Sequence, residues 1–79
     1  MELNKDFPKP EKTDNKAPEL LKFLLSDLSG EIVFEDTIKQ KHFSSGSIGY
    51  NCSGKFTNKE SGERYQVSCN IILIGSKPK

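Results

Sequence analysis

The stretch Gly49-Tyr50-Asn51-Cys52-Ser53-Gly54-Lys55 spaces two glycines and a lysine as a phosphate-binding loop does. Such a loop cradles phosphates with backbone N–H groups and a lysine ammonium. It also needs a Ser or Thr next in line to hold Mg²⁺, at the point where a helix begins. Phe56 occupies that position, and the residues beyond it read as a turn and another strand. The two glycines are therefore expected to lie in a strand, where glycine marks a bulge or the close approach of another backbone.

The other reactive side chains are few. Cys52 and Cys69 are the two cysteines and His42 the one histidine. Two thiols without further ligands cannot make a structural zinc site, so no metal and no cofactor is expected. Facing each other on paired strands, the sulfurs come within reach of a disulfide; in a reducing compartment the expectation is two buried thiols acting as small apolar groups. His42, between Lys41 and Phe43 near a turn, is expected to be solvated rather than to serve as a base. Asn51-Cys52-Ser53 fits the N-glycosylation sequon but is inert without a secretory signal. No Ser/His/Asp arrangement can be placed, and Glu35 and Asp36 read as solvent-side carboxylates. A chain this short is small for an enclosed pocket of roughly 300–1,000 Å³. No catalytic residue is assigned and no enzyme is expected.

Composition narrows the class. The chain has 79 residues, 33% apolar and 29% charged, which bounds it to one small soluble domain. No apolar run approaches the roughly 18 residues of a membrane helix. The first residues, MELNKDFPKPEK, lack the apolar core of a signal peptide, so a cytoplasmic location without membrane contact is expected. Residues 1–38 carry five basic and nine acidic side chains, net −4, and residues 39–79 carry seven basic and two acidic, net +5. Such asymmetry can mark a basic binding surface.

The elements that must position these residues follow from periodicity. Residues 1–17 are polar and broken by Pro8 and Pro10, which predicts a flexible tail. Residues 77–79 form a second short tail, leaving 18–76 as the domain. Pro18, Glu19, the spacing of Leu20, Leu21, Leu24, Leu25 and Leu28, and Gly30 predict a helix over about 18–29 with one apolar stripe. Strands are predicted over about 31–39, 46–57 and 63–75, with Ile32, Phe34 and Ile38 sharing one parity. The last two make a hairpin around Asn58-Lys59-Glu60-Ser61-Gly62. Pairing Thr57 with Arg64 sets Cys52 against Cys69 and Phe56 against Tyr65 on an apolar face. The same pairing places Asn51, Ser53, Lys55, Gln66, Ser68 and Asn70 on the other face, and a slip of one residue would mix the two. The expected fold is α+β, one helix packed on a three-stranded antiparallel meander.

The expected function is a non-enzymatic binding module, an accessory, adaptor or inhibitor docking on a larger protein. The contact residues are Asn51, Ser53, Gln66, Ser68, Asn70, Ile72 and Ile74, a neutral hydrogen-bonding row with apolar groups at one end. Strand 64–75 is expected at a sheet edge, which invites a homodimer by strand addition. The alternative is single-stranded nucleic-acid binding through Lys39, Lys41, His42, Lys55, Lys59 and Arg64, with His42 and Phe43 stacking on bases.

Overall fold

The computed structural model describes residues 2–79. It has four strands, β1 (Leu20–Ser26), β2 (Ile32–His42), β3 (Ile48–Thr57) and β4 (Arg64–Ile72), in one antiparallel sheet of order β1-β2-β3-β4. Among the described residues there is no helix. The expected α+β fold is therefore replaced by an all-β meander, and the predicted helix is in fact β1.

The leucines explain the difference. Their spacing satisfies a helical stripe, but Leu21, Phe23 and Leu25 also alternate, and the burial of β1 alternates with them. A helix of about twelve residues is marginal without a surface to pack on. As a strand, the same residues pair along their length with β2, from Leu20 opposite Lys39 to Leu25 opposite Phe34. The alternation leaves Leu20 and Leu24 each 52% exposed and puts Leu28 in the turn, fully in solvent.

That turn is built by side-chain chemistry. Asp27 Oδ1 accepts the N–H groups of Ser29 (2.9 Å) and Glu31 (3.1 Å) and the Ser29 hydroxyl. Gly30, at φ 95°, donates its N–H to the Asp27 carbonyl at 3.1 Å. This is a tight turn followed by a left-handed residue, which suits the twist of a hairpin. The left-handed glycine was read as a helix stop, but it closes a hairpin equally well. The β2–β3 turn repeats the device: Gly46, at φ 94°, donates to the Phe43 carbonyl at 2.9 Å.

One extra residue redirects β2. The register shifts between Leu25 and Ser26, so that Leu25 faces Phe34 but Ser26 faces Ile32. Val33 is the residue left over, a β-bulge. It turns Ile32 outward, 52% exposed, against the expectation that Ile32 shares a face with Phe34 and Ile38.

The β3–β4 register follows the expectation pair by pair, from Gly49 opposite Ile72 to Thr57 opposite Arg64. The β2–β3 ladder is shorter and pairs only Gln40–His42 with Tyr50–Ile48. Beyond it the sheet is free to curl, and the two hairpins turn their apolar faces toward each other. Ile38, Tyr50, Cys52 and Val67 form the buried center, with Leu21, Phe23, Phe34, Phe56 and Cys69 packed around it. A four-stranded sheet can bury Cys52 to 1% exposure without a second layer only by closing over its own face.

The N-terminal segment lies against the β2–β3 end. His42 Nδ1 accepts the Asn4 N–H at 2.9 Å, which leaves Nε2 to carry the proton and donate to the Pro8 carbonyl at 2.8 Å. Phe7 meets the imidazole edge-on, centroids 5.5 Å apart. Glu11 N–H donates to the Ser76 carbonyl, and the Ser76 hydroxyl accepts the Ile48 N–H. His42 is thus 7% exposed, where a solvated histidine was expected.

Candidate docking face

The outer face of β3 and β4 carries the residues that the sequence assigned to binding. Ser53, Gln66, Ser68 and Asn70 are exposed, and Asn51 is half-buried. The Asn51 side-chain amide donates to Asn70 Oδ1 at 2.8 Å, which orients both amides across the strand pair. Ile72, at the end of the row, is 42% exposed, and Ile74, in the turn just beyond β4, is 88% exposed. Lys55 opposes Gln66 and Thr57 opposes Arg64, so the charges sit toward the far end.

The alternation that builds this face continues across the sheet. Through the Gln40–Tyr50 ladder, Lys41 stands beside Gly49 and Gly49 beside Ile72. On the β1–β2 hairpin the same outward side bears Leu20, Leu24 and Ile32, with Lys22 and Glu35 paired at 3.7 Å between them. These three apolar side chains were missed as surface groups. Two were assigned to a helix stripe and the third is turned outward by a bulge that leaves no mark in composition.

The basic residues do not gather. Lys59 pairs with Glu31 at 3.0 Å, and the Lys41 ammonium sits 5.2 Å over the Phe43 ring. His42 is enclosed by the N-terminal segment, and Lys39, Lys55 and Arg64 are exposed on three different strands. Neither ring proposed for base stacking is free.

Cys52 and Cys69 are both free thiols on directly opposed positions. The Leu73 N–H donates to Ile48 O and the Asn58 N–H to Glu63 O. Both belong to the same alternating set of positions as the cysteines, which makes Cys52–Cys69 a hydrogen-bonded pair with Cα atoms about 5.5 Å apart. Their Cβ atoms fall at the wide end of cross-strand spacings, about 5.5 Å, beyond the ~3.8 Å of a relaxed disulfide. Burial pushes the Cys52 thiol up, with smaller contributions from the charge of Asp36 and from Cys69. The pair is suited to packing more than to redox exchange.

Besides a cleft of ≈ 330 Å³ between the N-terminal segment and Gln40, two open clefts flank the body. One, of ≈ 250 Å³, is lined mainly by apolar groups including Ala17, Leu21, Ile48, Tyr50 and Leu73, with Asp14 at its rim. The other, of ≈ 480 Å³, lies between the two far turns and includes Glu31, Val33, Phe56, Lys59 and Tyr65. No helix of the described residues is long and apolar enough to cross a membrane. No family model matches this chain, and no curated protein or solved structure matches it either.

Proposed function

We propose that this chain is a non-enzymatic binding module that docks on a larger protein through the outer face of the β3–β4 hairpin. The observation that carries the reading is the exposed row Ser53, Gln66, Ser68 and Asn70, with half-buried Asn51 bonded into it and exposed Ile72 at its end, followed by exposed Ile74 in the turn beyond. Amides and hydroxyls donate and accept without a strong field. The isoleucines supply an apolar anchor at one end, the arrangement of polar rim and apolar contact that protein interfaces use. Leu20, Leu24 and Ile32 extend the apolar part on the neighboring hairpin. His42, the one imidazole, has both ring nitrogens committed to backbone groups, which favors a scaffold role for it over base catalysis.

Affinity capture from the native cell tests the reading, comparing wild type with Ile72→Asp, Gln66→Ala and a distant control, Ser44→Ala. Loss of one defined partner in the first two and its retention in the control is the expected outcome. Identical capture by all four proteins rules the face out.

A further inference from the structure

We infer that β4 is the interface of a twofold homodimer, two copies adding edge to edge with Ser68 on the axis. Three features of this one strand lead there. First, β4 ends the sheet order, and the alternation of the β3–β4 ladder aims the N–H and C=O groups of Arg64, Gln66, Ser68, Asn70 and Ile72 away from β3. Second, the strand carries none of the usual edge protection: among Arg64–Ile72 there is no proline and no inward charge, and the one charged side chain is at its end. Third, the cover of its inward side is incomplete. Tyr65 and Ile71 belong to the apolar face but are 50% and 40% exposed, while Val67 between them is buried at 9%. A neighboring strand is the missing cover.

A second copy fits that edge better than an arbitrary strand. With the axis at Ser68, the midpoint of Arg64–Ile72, Gln66 faces the partner's Asn70 and Arg64 faces the partner's Ile72. On the inner side, Tyr65 stands beside the partner's Ile71, and Val67 beside the partner's Cys69. Polar groups meet polar groups, apolar meet apolar except at the strand ends, and no like charges are opposed. A net charge of +1 adds little repulsion between copies. The interface is isologous and closes at two subunits. The two outer faces then form one continuous surface, so the inference goes beyond the docking proposal without depending on it.

The test uses the purified full chain alone, by sedimentation equilibrium up to about 1 mM, a range that reaches weak association. Wild type is expected to show a monomer–dimer equilibrium. The variant Gln66→Glu/Asn70→Lys places opposite charges across the axis twice and should tighten it; Gln66→Glu/Asn70→Glu opposes like charges and should weaken it, with about a tenfold difference between the two. Ser68→Pro removes an outward N–H that β3 does not use, so it should abolish association while its thermal transition shows a folded monomer. A strictly monomeric wild type overturns the inference. So does a dimer indifferent to all three variants, which places the contact elsewhere.

Discussion

The Phe34 ring occupies the space that a side chain at Gly54 would need: a Cβ built there lies 2.6 Å from the ring. This contact joins the two hairpins where no ladder does, since β2 and β3 pair only at Gln40–His42. Gly54→Ala forces the ring aside and should cost about 1–3 kcal/mol as overpacking. Gly49→Ala is expected to cost more, because its Cβ would meet the Ile71 carbonyl oxygen of the neighboring backbone, which cannot swing away as a ring can. Denaturant melts of the two variants against wild type check the ranking. Equal stability of all three proteins contradicts the packing described.

Acid should loosen the β1–β2 turn. The Ser29 hydroxyl holds the Asp27 carboxyl below its ordinary range, opposed next by desolvation and helped in turn by the N–H groups of Glu31, Ser29 and Gly30. A carboxylate whose folded pKa is lowered contributes stability that is fully present above the ordinary carboxylate range and is lost as pH falls through the lowered value. The Ser29 and Glu31 amides should lose exchange protection at acid pH once the intrinsic rate is corrected, while amides of the β3–β4 ladder keep theirs. Asp27→Asn, which cannot titrate, should abolish this local pH dependence. A turn equally protected at pH 7 and pH 2 contradicts the assignment.

Much of this architecture was readable in the chain, and the part that was not has identifiable causes. The β3–β4 register followed from the turn around Asn58–Gly62, which sets Thr57 against Arg64, together with alternation, because a slip of one residue would take Cys52, Phe56, Tyr65 and Cys69 off their common face. The faces of Asn51, Ser53, Gln66, Ser68 and Asn70 came with it. The β1–β2 hairpin was hidden by the double period of its leucines. A better signal was present: Ser29-Gly30, Ser45-Gly46 and Ser61-Gly62 recur sixteen residues apart, and each glycine has positive φ at a hairpin turn. Three equally spaced turns of like chemistry describe a meander of four similar strands, with no room for a helix. The outward Ile32 was not legible, since a bulge of one residue follows from packing. Nor was the burial of His42, which depends on groups 34 and 38 residues away in the chain.

The contact between His42 and the N-terminal segment yields the last expectation. The imidazole takes one hydrogen bond from Asn4 and gives one to Pro8, and Phe7 closes over it. These are the side-chain hydrogen bonds and ring contact that tie residues 4–8 to β2; farther along, the segment is held by the backbone bond from Glu11 to Ser76 and by the Pro18 carbonyl, which accepts from the Gln40 amide and the Tyr50 hydroxyl. His42→Ala removes both hydrogen bonds and the ring contact, while His42→Phe keeps an aromatic ring but neither bond. Each lost bond is worth about 1 kcal/mol net, so the alanine variant should free the segment and the phenylalanine variant should free it partially. Trypsin reads this directly at Lys5 and Lys12, both exposed and followed by residues other than proline. Cleavage there should accelerate severalfold in His42→Ala, ahead of any cut within β2, β3 or β4. Equal cleavage rates in wild type and both variants would mean that the histidine does not hold the segment in place.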